Sequence, residues 1–128
     1  MKLLLDTHLL LWMAQRSPRL SAAALKLTGD ADNELLFSVA SLWEFGIKYE
    51  KVPDQFDISP IELREGLIEN GYFELNITGM HALSISRLPT LHGDPFDRIL
   101  ITQAMVEGIT LVTTDEVVAR YPGPIRKV

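Results

Sequence analysis

Five acidic side chains, Asp6, Glu44, Asp94, Asp97 and Asp115, stand where their type and spacing could do chemistry. Asp6 directly follows Leu3-Leu4-Leu5, and Asp115 follows Leu111-Val112-Thr113-Thr114. Each closes an apolar run that reads as a strand. In open α/β sheets the functional crevice lies beyond the carboxyl ends of the strands, so both carboxylates project toward one edge. Aspartate is also common in turns and at helix N-termini. That plain explanation competes for either residue alone and weakens for the pair.

Glu44 has Trp43 and Phe45 as neighbours, with Ala40 and Ile47 on adjoining turns, so its helix is apolar around most of its circumference. A buried carboxylate is costly unless it is paired or binds a metal. An exposed Glu44 could instead pair with Lys48 at the favourable i,i+4 spacing, and the residues leave both readings open. In His92-Gly93-Asp94-Pro95-Phe96-Asp97-Arg98, Asp94 before Pro95 has the form of a helix N-cap. Asp97 falls near the third helical position, where an acid suits the dipole. It also precedes by one turn Leu100 and Ile101, the start of the face that packs on the sheet. That placement turns its carboxylate inward, as a ligand, with Asp94 as a cap in support.

Several carboxylates, without cysteine and without paired histidines, suit a hard divalent cation such as magnesium. Such a site hydrolyses phosphodiesters with no nucleophilic side chain. His8, His81 and His92 lack metal-ligand spacing and read as structural or exposed. No Ser/His/Asp motif and no glycine-rich phosphate loop is present.

The elements that must position these acids follow from hydrophobic period and punctuation. Strands are expected over Lys2–Asp6, Glu34–Ser38, Tyr72–Asn76 and Ile109–Thr113, with a short last one over Ile125–Val128. Helices are expected over His8–Gln15, from Ser21 to about Gly29, through Ser41 to about Tyr49, from Ser59-Pro60 to Asn70, from Thr78 to about Arg87, and from Asp94-Pro95 to Glu107. Gly108 ends the last of these as a C-cap. Pro53–Ser59 and Leu88–Gly93 read as loops. Strand–helix alternation of this kind predicts an α/β class, with a mainly parallel sheet and helices on both faces.

The 128 residues fit one domain spanning 1–128. The net charge is −5, from 12 basic and 17 acidic residues. Taken alone it argues against a nucleic-acid binder, although acids gathered around cations reverse the local field. The leucine-rich N-terminus is interrupted by Asp6, Thr7 and His8, unlike a signal peptide. No apolar run approaches the ~20 residues of a membrane span. The expectation is a cytoplasmic protein with no membrane association.

Four blocks in order carry a family resemblance along nearly the whole chain: Asp6-Thr7-His8 with the following Leu-Leu-Leu-Trp; Ser38 to Glu44; Asp94 to Ala104; and Leu111 to Asp115. Together they resemble PIN-domain proteins of the VapC-like toxin group. The resemblance implies a three-layer α/β/α sandwich and a metal-dependent endoribonuclease, the toxin half of a toxin–antitoxin pair. It carries over Asp6, Glu44, Asp97 and Asp115 as the catalytic, metal-binding set, with Thr7, Asp94 and Thr113 in support. It further implies magnesium or manganese, one ion or two, a transfer or ribosomal RNA substrate, a homodimer and a cognate antitoxin. An apolar segment of that antitoxin would lie across helices near Trp12 and Trp43, unless both tryptophans are core. The alternative is a non-catalytic PIN-like module that binds RNA or protein, although all four acids are retained. A haloacid-dehalogenase-type phosphatase needs a second aspartate where His8 stands. In a receiver domain the acceptor aspartate would come later than Asp6.

Overall fold

The computed structural model describes residues 1–128. Five strands, β1 (Lys2–Leu5), β2 (Glu34–Ser38), β3 (Phe73–Leu75), β4 (Thr110–Thr113) and β5 (Ile125–Lys127), form one sheet in the order β3-β2-β1-β4-β5. Every pairing is parallel. Parallel strands need crossovers, and six α-helices supply the first three: α1 (Thr7–Ala14), α2 (Ala22–Gly29), α3 (Val39–Lys51), α4 (Pro60–Glu69), α5 (Gly79–Ser84) and α6 (Pro95–Glu107), while a 3₁₀ turn over Val118–Arg120 lies in the β4-to-β5 connection.

The period-2 alternation of β1 separates two cores. Leu3 and Leu5 join Leu9, Leu10, Phe37, Leu63, Leu67 and Val112 on one face. Leu4 joins Leu100, Ile101, Ala104, Leu111 and Tyr121 on the other. Burial on both faces explains why β1 reads as an unbroken leucine run rather than an alternation. Helix α3 serves both layers, placing Phe45 in the first core and Ala40 in the second. The architecture is the α/β class with helices on both faces of a parallel sheet that the pattern predicts, and the three-layer α/β/α sandwich that the resemblance implies.

The helix starts are set by side-chain caps. Asp6 accepts from Leu9 N at 2.9 Å, so α1 begins at Thr7, one residue before the expected His8. Ser59 and Glu62 close a reciprocal capping box on α4. Asp94 Oδ1 accepts from Phe96 N at 2.8 Å, with Pro95 at the first helical position. Gly108, left-handed at φ 67°, ends α6. Most other boundaries fall within a residue of expectation, and the larger departures are these. β3 covers only Phe73–Leu75, α3 runs on to Lys51, and the helix after Thr78 tightens into a 3₁₀ turn over Ile85–Arg87. In that turn the Ile85 carbonyl also receives Arg98 Nη2 at 3.3 Å.

The strand order reverses between β1 and β4. At such a switch point the two crossovers leave in opposite directions and open a crevice above the carboxyl ends. Asp6 follows β1 there and Asp115 follows β4.

Candidate metal centre

Asp6 forms the floor of the crevice. It is 6% exposed, and its oxygens accept from Leu9 N, Thr113 Oγ1 at 2.7 Å and Thr114 N at 3.3 Å. Burial pushes its carboxyl above the usual range, against the lowering effect of those three hydrogen bonds. Thr113 accepts in turn from Asp115 N at 3.0 Å, so one buried hydroxyl joins both strand-end acids. Asp115 Oδ1 accepts from Val117 N and Val118 N at 2.7 and 2.9 Å, which leaves its other oxygen for the crevice. Thr7 reaches across to α3 and donates to Ser41 Oγ at 2.9 Å.

Glu44 satisfies both of the readings its sequence left open. It is 7% exposed, Oε2 stands 3.4 Å from Lys48 Nζ, and Oε1 is buried with no hydrogen-bond partner. A buried carboxylate oxygen without a donor is a strong electrostatic demand for a cation.

Asp97, in the first turn of α6, has its pKa raised from the ordinary 3.8 to about 7. Burial is the main cause, and the nearby charges of Asp94, Glu44 and Asp115 add to it, while His92 opposes. The crevice therefore holds more negative charge than it can neutralise itself.

One ring nitrogen of His92 and one carboxylate oxygen each of Asp97 and Asp115 lie within 4.8 Å of one another, a spacing that could hold a metal ion. Asp6 and Glu44 stand outside that tight set, Asp6 on the floor and Glu44 on the α3 side. His92 corrects the expectation that all three histidines lie apart from the chemistry. Its Nε2 is 3.0 Å from Asp97 Oδ2 and its Nδ1 accepts from Asp94 N at 2.9 Å. The sequence signal was weak, a histidine two residues before an N-cap aspartate. His81, by contrast, is fully buried and structural, accepting from Thr78 N and touching Glu107 at 3.2 Å.

The helices that carry the acids are fixed to one another by buried polar bonds. Ser38, the N-cap of α3, donates to Gln103 Oε1 of α6 at 2.6 Å, and Gln103 Nε2 donates to Asn76 O. With Thr7–Ser41, this ties α1, α3 and α6 together near the crevice. A cavity of about 420 Å³ lies elsewhere, lined by Met13, Leu35, Leu63, Leu67 and Tyr72 among others, and none of the crevice acids borders it.

The PIN domain family model matches residues 3–124. The chain belongs to the PIN-domain family. Among curated proteins this PIN domain is similar to ribonuclease VapC22 of Mycobacterium tuberculosis (strain ATCC 25618 / H37Rv), with 32% identity over 125 residues and 95% of each chain covered. Its fold is similar to that in the VapBC2 structure from Rickettsia felis bound to a promoter DNA fragment: TM-score 0.73, 17% identity, 99% of this chain and 98% of that one. It is also similar to DNA-bound VapBC from Salmonella typhimurium, with TM-score 0.70, 18% identity, and 99% and 98% covered. A third likeness is to a toxin–antitoxin complex from Klebsiella pneumoniae, with TM-score 0.62, 18% identity, and 96% and 94% covered. At these identities the structural likenesses speak for the fold of the PIN domain. No helix in it is long and apolar enough to cross a membrane.

The donor set fits a divalent cation. Carboxylate oxygens dominate it, the buried and unpartnered Glu44 Oε1 lies on a neighbouring element, and burial together with the surrounding charges raises the pKa of Asp97.

Proposed function

We propose that this PIN domain is a metal-dependent endoribonuclease and the toxin half of a toxin–antitoxin pair. The observation that carries the reading is the convergence of Asp97 and Asp115 at the β1/β4 switch point, with Glu44, one of whose oxygens is buried without a partner, near enough for its charge to raise the pKa of the Asp97 carboxyl. Its similarity to a ribonuclease over 95% of its length supports the same conclusion.

In this reading Asp6, Glu44, Asp97 and Asp115 hold magnesium or manganese, as one ion or two. A bound ion would supply Lewis-acid chemistry there, polarising a phosphoryl oxygen and lowering the pKa of a water. The chain's own residues do the rest. Asp6 anchors the floor through Thr113, Thr7 ties α1 to the helix of Glu44, and Asp94 caps the helix that presents Asp97. The overall charge of −5 repels RNA at a distance, so substrate capture depends on the loaded crevice.

A transfer or ribosomal RNA is the substrate class, a homodimer the assembly and an antitoxin the inhibitory partner. Trp43 is 64% exposed, whereas Trp12 packs against the core, so Trp43→Ala is the variant that reads antitoxin contact at the cost only of its edge-on contact with Phe96. The activity test is cleavage of total RNA by the purified protein, with magnesium or manganese and with chelator, beside Asp6→Asn. Metal-dependent cutting that disappears in the variant is the expected result. Equal cutting by Asp6→Asn, or cutting in chelator, overturns the reading.

A further inference from the structure

His92 stands among the potential ligands, and the bonding of its ring decides what it does there. The Asp94 backbone N–H can only donate, so His92 Nδ1, 2.9 Å away, must accept. The proton of the neutral ring then resides on Nε2, the atom 3.0 Å from Asp97 Oδ2. A nitrogen that carries a proton has no lone pair for a metal. Resting on the metal-dependent reading above, we propose that His92 is a positioning residue, a donor that holds the Asp97 carboxylate rather than a metal ligand, and that Arg98 and Tyr121 hold His92 in place.

Arg98 and Tyr121 supply the second half of the argument. Tyr121 Oη donates to the His92 carbonyl at 3.2 Å, and Arg98 Nη1 reaches the same oxygen at 3.4 Å. Arg98 also donates to Pro89 O at 3.0 Å, Tyr121 Oη at 3.2 Å and, through Nη2, Ile85 O at 3.3 Å. An arginine beside several carboxylates would ordinarily pair with one, since its planar fork matches a carboxylate. This one is directed at the main chain of the segment before Asp94. Its work is to pin the loop that carries His92, and the buried Tyr121 hydroxyl completes the clamp. Partners behind a ligand that fix its orientation affect metal affinity by about 10- to 100-fold.

The experiment measures Mn²⁺ binding by calorimetry for the wild type, His92→Ala, His92→Gln and Tyr121→Phe, with urea unfolding of each as a check on the fold. His92→Ala should weaken Mn²⁺ binding about tenfold. Tyr121→Phe should weaken it less, and His92→Gln, which keeps an N–H donor, should recover part of the loss. The nitrogen chemical shifts of the wild-type ring should report the Nε2–H tautomer, and bound Mn²⁺ should show no imidazole nitrogen coupling. Unchanged Mn²⁺ affinity in His92→Ala overturns the inference, as does nitrogen coupling to bound Mn²⁺ or a ring proton on Nδ1. If the wild type itself binds no Mn²⁺, the metal-dependent reading fails and this inference with it. That outcome is distinct from a wild type that binds and a His92→Ala that binds equally well.

Discussion

Removing the charge of Asp97 should stabilise the metal-free protein, and by an amount that grows with pH. Its pKa is raised from 3.8 to about 7, first by burial and then by Asp94, Glu44 and Asp115. Between those two values the folded state holds the Asp97 proton more tightly than the unfolded chain does. Stability therefore falls as pH rises through that window, and the full penalty is present above about pH 7. Unscreened, such a rise corresponds to about 4 kcal/mol. The side chain is 22% exposed and faces an open crevice, so water and salt reduce the penalty to about 1–2 kcal/mol. Asp97→Asn removes the titration while keeping a carbonyl oxygen for His92 Nε2. Urea unfolding of both proteins in chelator at pH 5 and pH 8 reads the effect. About three-fifths of the penalty accrues between pH 5 and pH 8, so the variant should gain about 0.6–1.2 kcal/mol over the wild type across that interval; the full penalty at pH 8 corresponds to roughly 3–8 °C in Tm. An equal difference at both pH values would refute the argument, because charge crowding at Asp97 would then be absent.

Three other outcomes follow from the same geometry. Thr113→Val removes the hydroxyl between Asp6 and the Asp115 amide; it should cost about 1–3 kcal/mol in urea unfolding and sharply lower cleavage. Magnesium at ten times its dissociation constant should stabilise the wild type by about 1.4 kcal/mol, with a smaller Tm rise in Asp115→Asn; equal rises would place binding elsewhere. Gln103→Leu should cost about 1–3 kcal/mol, because it leaves the buried Ser38 hydroxyl proton without an acceptor; a change under about 0.5 kcal/mol, the size typical of surface substitutions, would show that the tie between α3 and α6 contributes little.

What was legible in the sequence was what local rules govern. The strand-end positions of Asp6 and Asp115 follow from apolar runs closed by an acid, and the caps at Ser59 and Asp94 follow from their side chains and the prolines behind them. The parallel sheet follows from strand–helix alternation. Glu44 was ambiguous because helix periodicity places it at a border, and the structure puts one oxygen beside Lys48 and the other in the interior. His92 was missed for a different reason. It meets Asp97 from a loop whose main-chain carbonyls Arg98 and Tyr121 bind, and a bond to a carbonyl leaves no residue-type signature in the chain it touches. The Ser38–Gln103 contact joins positions 65 residues apart, beyond the reach of any periodic pattern.

The two best-buried acids of the crevice differ in what the fold asks of them. Asp6 ties β1, α1 and β4 together through three hydrogen bonds, whereas Glu44 leaves an oxygen stranded. Inactivating alleles should therefore fall into two populations. Lesions at Asp6 that remove both acceptor oxygens, unlike Asp6→Asn, undermine the scaffold and send the chain toward degradation, so the protein disappears along with its activity. Lesions at Glu44 relieve a strain and leave an abundant, folded, silent protein. Where cleavage harms its host, only the second kind persists as a competitor for whatever the active form binds, and its genetics would be dominant rather than recessive.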